Sequence, residues 1–507
     1  MSAPISRRDF LKLLSLLPLL SLRLPKLKGS GAFDFQAAGP QKNILIFVFD
    51  ALSARNMPVY GYPRNTTPNL ARFAERATVY HAHHAGGNFT TPGAATLMTG
   101  VYPWTHRAVH VHGSVMDSFA DRNIFSAVPN DIYSYAYTHN LLAESLLQQF
   151  RAHIGLFLRT RELAINDPEY SDRLFSKDYN VSLWSEQLIL RGGETRPSSL
   201  FGGLLYRFLR LGQKRTIAGD YGRQFPRGVP NLDDVYFILE DAIDWLIREL
   251  PTARQPYLGY FHILPPHDPY FPRQDFIGKF QDDFVPAAKP PSPFPGGRPE
   301  EAVNQSRIQY DENLAYADAE FGRLYDVMLE AGTLDSTTVI VTADHGELFE
   351  RGIVGHLTPV LYEPLMHIPL LISVPGQTQR QDIHSLTSAV DIMPTLARLT
   401  GQPAPAWGEG EVLPGFRDQP VNTDRGVFAV EAKSSPKFGP LNKATVAMLK
   451  GNYKLILYRG YPEKPATELF DLSNDPEELQ NLSATQPAVA AALQQEIETK
   501  LRQTHSF

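Results

Sequence analysis

Asn43-Ile44-Leu45-Ile46-Phe47-Val48-Phe49, closed by Asp50, is an unbroken apolar, β-rich run with no polar residue at alternate positions. Such a run suits a strand buried on both faces, as in a parallel sheet covered by helices. Two further runs share its character. Residues 257–264 (YLGYFHIL) lead into Pro265-Pro266-His267-Asp268, and residues 337–342 (TTVIVT) lead into Asp344-His345-Gly346. Helical patterns lie between them, at 69–76, at 233–250 behind the cap candidate Asn231, and at 308–331. Strands separated by helices predict an α/β fold with a doubly wound, mainly parallel sheet flanked by helices. Within that domain, placed at 42–400, residues 151–230 lack a clear period and read as an insertion that shapes the substrate entrance. The Pro/Gly-rich stretch 285–299 (VPAAKPPSPFPGGRP) reads as an exposed loop. From about Gly401 the texture changes to short strands and a final helix at 486–503, predicting a small C-terminal α+β subdomain over 401–507.

Composition narrows the function classes. The chain has 507 residues and a net charge of −6, so it is not a globally basic nucleic-acid binder. Hydrophobic residues make up 43%, enough for a large buried core and against global disorder. There is no cysteine, which excludes disulfides, thiolate metal sites and cysteine nucleophiles.

The N-terminus differs from the rest. Arg7, Arg8, Lys12, Arg23, Lys26 and Lys28 stand against a single acid, Asp9, around the apolar run 13–22. Ser6-Arg7-Arg8-Asp9-Phe10-Leu11-Lys12 resembles a twin-arginine export signal, which would engage the twin-arginine translocation machinery. The apolar run is ten residues and is broken by Pro18, whereas a membrane span needs about 20. The expectation is therefore a signal segment over 1–32, no permanent membrane span, and export to the periplasm or the extracellular space. The chain would stay membrane-tethered if the signal were uncleaved.

In open parallel sheets, ligands bind beyond the carboxyl ends of the strands. Three predicted strands end there in Asp50, in His267-Asp268 and in Asp344-His345. Taken singly, each has an ordinary structural use: Asp50 as a cap or turn residue, Asp-His-Gly as a turn. Gathered at one sheet edge, carboxylates and imidazoles would go unpaired unless a cation sat among them. His262, inside the second strand, reads equally as a core histidine and is not counted in the site. A fourth element, Asn88-Phe89-Thr90-Thr91-Pro92-Gly93-Ala94, opens a helix, with Pro92 in its first turn and Thr90 or Thr91 as its cap. The same hydroxyl at a helix N-terminus could also serve as a nucleophile, because the helix end favours negative charge.

Together these segments resemble the sulfatase family of the alkaline phosphatase superfamily. The resemblance runs through Asp50-Ala51-Leu52-Ser53, Thr66-Thr67-Pro68-Asn69-Leu70, Thr90-Thr91-Pro92 to Pro103, Pro266-His267-Asp268-Pro269, Asp344-His345-Gly346-Glu347 with Gly355-His356, and Glu468 to Pro476. It implies that Asp50, Asp344 and His345 bind one divalent metal ion, with Thr90 as nucleophile and fourth ligand. His267 and His356 would contact the transferred group or protonate the leaving oxygen. Mn²⁺, Mg²⁺, Ca²⁺ and Zn²⁺ all suit such ligands, and a second ion is less expected. His139, in Thr138-His139-Asn140, lies near where the family often has a Lys and a His.

The chain also departs from that family. Sulfatases use an aldehyde made from Cys or Ser, and Thr90 cannot yield it because its β-carbon carries a methyl. Gly93-Ala94 stand where the family has an Arg, and Asp344-His345 where it often has Asp-Asn. These departures resemble the phosphoesterase branches and favour phosphorus over sulfur. The expected activity is hydrolysis of phosphate or sulfate esters of a small molecule or glycan through a covalent Thr90 intermediate. The alternatives are a transferase moving a phosphoalcohol onto a surface glycan or lipid, and a non-catalytic binding protein on the same scaffold.

Overall fold

The computed structural model describes residues 43–165, 200–232, 235–417, 420–462 and 466–504. The expected signal over 1–32 and most of the first half of the 151–230 insertion lie outside them. Eight strands form the central sheet: β1 (Asn43–Phe49), β2 (Thr78–Tyr80), β3 (Tyr133–Thr138), β4 (Leu156–Leu158), β5 (Tyr257–Ile263), β6 (Thr337–Ala343), β7 (Leu370–Ser373) and β8 (Gln381–Ile383). Their order is β8-β2-β7-β6-β1-β5-β3-β4. Every pairing is parallel except those of β7, which runs against β6 and β2. The expected α/β architecture with a mainly parallel sheet is what the molecule has.

β1 sits in the middle, with β5 on one side and β6 on the other, and all seven of its residues are buried. Its two faces are covered differently. Ile44, Ile46 and Val48 share a core with Leu258, Tyr260 and Ile340 from the neighbouring strands and with Ala94, Ala95 and Met98. Those last three belong to α2 (Thr90–Thr99), which follows α1 (Pro68–Ala74) and is buried at all ten positions. Phe47 and Phe49 face the other way, against Phe321, with ring centroids 5.5 and 6.0 Å apart. Phe321 belongs to the 31-residue helix over Glu300–Glu330. Fully burying one such ring contributes roughly 1.5–3 kcal/mol, and helices on both faces are what make the apolar stretch 44–49 of β1 favourable.

Leaving aside the one-turn helices Pro103–His106 and Glu363–Met366, the described residues place α3 (Leu141–Gln149), α4 (Leu200–Tyr221) and α5 (Leu239–Glu249) before that helix, so it is α6; α7 (Ile392–Leu399) follows. Three expectations are corrected. The helix predicted from 233 begins only at Leu239, and Asn231 caps nothing. Asn231–Leu232 instead pair antiparallel with Val235–Tyr236, where two buried β-favouring side chains outweigh the helical pattern. The predicted insertion contains β4, whose Leu156–Leu158 pair with Tyr135–Tyr137, so its first residues belong to the central sheet. The helix expected from 308 starts eight residues earlier, at Glu300.

After residue 401 the chain forms an antiparallel meander, β9 (Val427–Glu431), β10 (Ala444–Lys450), β11 (Tyr453–Arg459) and β12 (Thr467–Asp471). The closing helix α8 (Pro487–Thr504) lays Ala490, Leu493, Ile497 and Leu501 against it. Among the described residues, no helix is long and apolar enough to cross a membrane.

Candidate active site

The carboxyl ends of β1, β5 and β6 lie side by side, because Val48 pairs with both His262 and Thr342. Side chains alternate along a strand, so even-numbered residues of these strands face α2. Continued past the strand ends, that parity points Asp50 and Asp344 toward the start of α2. The chain turns sharply after Asp50 through Ala51, whose φ of +60° is rare for a residue with a Cβ. Tyr310 from α6 holds the turn: its hydroxyl donates to Ala51 O (2.8 Å) and accepts from Ser53 N (3.1 Å).

Asp50, Asp344 and His345 are fully buried, and one donor atom of each lies within 4.8 Å of the others. Asp344 Oδ1 accepts from Ala51 N (3.2 Å) and His345 N (2.9 Å), which leaves Oδ2 free. His345 Nδ1 donates to Gly346 O (2.8 Å), so Nε2 of the neutral ring is a lone pair. That Nε2 lies 3.4 Å from Asp50 Oδ1 and 3.6 Å from Asp344 Oδ2. Asp50 Oδ1, Asp344 Oδ2 and His262 Nε2 are buried without a hydrogen-bond partner. Lone pairs and carboxylates cannot face one another in a dry pocket without a proton or a cation between them. The ionisation of the groups reflects this. Burial opposes the charge on His345, yet Asp344 and Asp50 push it up to about 9. Asp344 is raised by burial and by the charge of Asp50. Asp50 is held well below its usual range by His267, His262 and His345, against the effect of burial. Two aspartates and an imidazole are the donor chemistry of a divalent ion, so these residues fit the metal.

Thr90 completes the group. It is the first residue of α2 rather than its cap; the cap is Phe89, which supplies no side-chain acceptor. The expected capping role of Thr90 or Thr91 is thus corrected: Thr91 Oγ1 donates instead to Val111 O, and Thr90 Oγ1 stays at the site, 3.4 Å from His345 Nε2. Small residues make this possible. Gly93 lies so close to Asp344 that a Cβ there would meet its carbonyl oxygen at 2.3 Å. Helix α2 is therefore pressed directly on the loop that carries Asp344.

Two site residues were not expected. His262 Nε2 lies 3.3 Å from Asp50 Oδ2 and 3.8 Å from Asp344 Oδ2. It shares the even parity of Asp50 and Asp344 along adjacent strands, which is the signal that would have found it. Asn140, not His139, reaches Thr90. Its Nδ2 donates to Asp50 Oδ2 (2.5 Å) and Thr90 Oγ1 (3.1 Å), and its Oδ1 caps α3 by accepting from Leu142 N (2.8 Å). His139 stacks on Phe237, centroids 4.1 Å apart, and receives Leu264 N on Nδ1 (3.4 Å).

His267 and His356 stand beside His345, their rings 6.4 and 4.5 Å from its centroid and 4.7 Å from each other. His356 Nδ1 donates to the buried Glu347 carboxylate (3.0 Å), and His267 Nδ1 to the Asp268 carbonyl. Burial opposes the charge of His267, but Asp50, Asp268 and Glu347 raise its pKa above the ordinary value.

Comparison with known proteins agrees with this geometry. The sulfatase family profile matches residues 42–143 and 204–402, and that of the N-sulphoglucosamine sulphohydrolase C-terminal region matches 358–506. Choline-sulfatase of Rhizobium meliloti (strain 1021) is 25% identical over 469 residues, covering 87% of this chain and 82% of that protein. Arylsulfatase K of Bos taurus is 29% identical over 298 residues, half of this chain and 53% of its own length. Among solved structures, a phosphonate monoester hydrolase of Agrobacterium radiobacter superposes with a TM-score of 0.63 at 18% identity, over 92% of this chain and 96% of that one. A 2-O GAG sulfatase superposes with a TM-score of 0.61 at 16% identity, over 92% and 93%. Sulfatase-family enzymes are metal-dependent, in keeping with the Asp50, Asp344 and His345 cluster. The chain belongs to the sulfatase family and is an ester hydrolase.

Proposed function

We propose that this protein is an exported, metal-dependent hydrolase that cleaves phosphate esters, in preference to sulfate esters, of a small molecule or glycan, with Thr90 as nucleophile. The observation that carries the reading is the Thr90 hydroxyl, set at the start of a buried helix and tied by Asn140 to Asp50. Asp50, Asp344, His345 and Thr90 Oγ1 would hold the ion. When bound, it supplies positive charge that lowers the pKa of the hydroxyl and attracts the ester oxygens.

The chain's own groups then have defined tasks. Thr90 Oγ1 attacks the central atom as an alkoxide, and the Asn140 amide hydrogen stabilises its negative charge. The N-terminus of α2 faces the equatorial oxygens with its positive dipole end. The leaving alkoxide needs a proton. His267 and His356 both fix Nδ1 as a donor, so either can give a proton only from Nε2 of its charged form. The acids around His267 favour that form, which makes it the general acid, a task worth roughly 10²–10⁴-fold. Water then cleaves the Thr90 ester. A threonine oxygen serves this ester route and not aldehyde-hydrate chemistry, which is the argument for phosphorus.

The test is turnover on an aryl phosphate, a phosphodiester, a phosphonate monoester and a sulfate ester, each with and without an acceptor alcohol. Turnover is expected to vanish in Thr90→Ala and after chelation. Full activity in Thr90→Ala overturns the nucleophile; product found only with the acceptor makes the protein a transferase. The twin-arginine segment would carry the folded protein across the membrane, and replacing Arg7 and Arg8 by Lys should retain it in the cytoplasm.

A further inference from the structure

Helix α4 (Leu200–Tyr221) turns an apolar face to solvent. Phe208 is 70% exposed and Leu211 52%, whereas Ile217, further along the same helix, is 7% exposed. From Phe208 to Ile217 is about two and a half turns at 3.6 residues per turn, so the two lie on opposite faces. The body of the protein holds the C-terminal end. Just past the helix, Gln224 O accepts from Gln274 N (2.8 Å), and the buried Phe225 meets Tyr316 of α6 with ring centroids 6.1 Å apart. The Phe208 side is open: a Cβ added at Gly212 or Gly219 would meet nothing within 4 Å.

The pattern along α4 extends that face. Phe201, Leu204, Phe208 and Leu211 follow one another at steps of three and four residues, which is one stripe of a helix. Arg207, Arg210 and Lys214 repeat at the same steps, and these positions lie about 100° round the helix from the stripe, since Arg207 precedes Phe208 by one residue. With Arg215 the helix holds four cations against one acid, Asp220, on a chain whose net charge is −6. Lys214 and Arg215 are exposed, like the apolar pair.

Single apolar residues on a surface need no explanation, but a stripe of them beside a basic row does. Pairing of the stripe with that of a second copy would bring two basic rows together, and like charges set side by side repel. Crossing a membrane is not its use either, because no described helix is long and apolar enough. A helix with Phe and Leu on one side and Lys and Arg on the other lies in the plane of a bilayer. Its apolar side enters the acyl boundary and its cations meet anionic headgroups. We infer that α4 is a membrane-surface helix that docks the protein on a bilayer containing anionic phospholipid, with Phe208 and Leu211 in the acyl boundary and Lys214 and Arg215 at the lipid phosphates. The inference does not depend on which ester the site cleaves.

The full-length protein is sedimented with vesicles of phosphatidylcholine alone and of phosphatidylcholine mixed with phosphatidylglycerol, at low and at high salt. It should pellet with the anionic vesicles at low salt, be released by high salt, and stay in the supernatant with phosphatidylcholine alone. Phe208→Ser combined with Leu211→Ser should weaken binding by about 10-fold or more. Lys214→Gln combined with Arg215→Gln should weaken it by about 25-fold, since each cation at an anionic surface is worth roughly fivefold. Both double variants should keep the wild-type melting temperature, because all four side chains are exposed. Equal pelleting of the wild type and both variants would place the contact elsewhere, as on the basic residues of 7–28, and overturn the inference. Equal binding to neutral and anionic vesicles, or no binding, would overturn it too. So would an oligomer, seen by light scattering, that Phe208→Ser with Leu211→Ser dissociates, because the stripe would then be a contact between copies. Binding by a protein inactive on every ester of the panel would uphold the docking helix and bear only on the proposed substrate.

Discussion

Gly93→Ala tests how closely the helix that carries Thr90 is set against the loop that carries Asp344. A Cβ at Gly93 would stand 2.3 Å from Asp344 O and 2.9 Å from Asp344 C, whereas ordinary contact begins near 3.4 Å. Both atoms are backbone, so no side chain can swing away. The helix or the loop must move by about 1 Å, and Thr90 lies on the same helical turn, three residues earlier. Misplacement of a reacting group by about 1 Å costs roughly 10²-fold in rate. Overpacking costs typically 1–3 kcal/mol, offset by about 1 kcal/mol from the better helix propensity of Ala. Activity should therefore suffer far more than stability. The assay is kcat/KM on the preferred ester of the panel, with urea unfolding in parallel. Gly219→Ala is the control, since a Cβ there meets nothing within 4 Å. A Gly93→Ala enzyme within threefold of wild type would refute the claim that this contact positions the nucleophile.

Asn140→Ser retains an oxygen to cap α3 but cannot reach Thr90 with an amide, so kcat should fall about 10²-fold, as on losing one oxyanion donor, with the melting temperature little changed. His106 is buried, accepts from Ala108 N on Nδ1 (3.0 Å) and lies 3.2 Å from Thr96 Oγ1 through Nε2; burial lowers its pKa to about 3. The unfolded chain takes up a proton there as pH falls below about 6.5 and the folded one does not, so stability drops on acidification. His106→Gln should remove about 2 kcal/mol of the loss between pH 7 and pH 5, measured by urea unfolding at both. Lys454 is fully buried between Glu363 (3.0 Å) and Glu478 (2.8 Å), which join the segment following Asp344 and His345 to the C-terminal sheet. Lys454→Met leaves two buried carboxylates without the lysine cation between them and should cost about 3–5 kcal/mol by chemical denaturation.

The strands were readable because burial on both faces demands continuous apolar runs, and β1 shows this from Ile44 to Phe49. Their ends were readable because acids and imidazoles just past such runs have few structural uses in combination. What the sequence left open depends on neighbours that only the fold supplies. His262 looked like a core histidine until its strand was placed beside Asp50, although its parity already matched. Thr90 looked like a cap because a hydroxyl at a helix start commonly is one; the structure makes Phe89 the cap and turns Thr90 Oγ1 to Asn140 and His345. The helix expected from 233 failed where the buried Val235 and Tyr236 found a strand partner.

The central claim is that Thr90 Oγ1 carries the transferred group. Acid quench of the enzyme during steady turnover of a radiolabelled phosphate ester, followed by peptide mapping, addresses it directly. The account predicts one phosphoryl group per chain at most, found on the peptide containing Thr90 and missing from Thr90→Ala. Label on another residue, or undiminished turnover by Thr90→Ala, would contradict it.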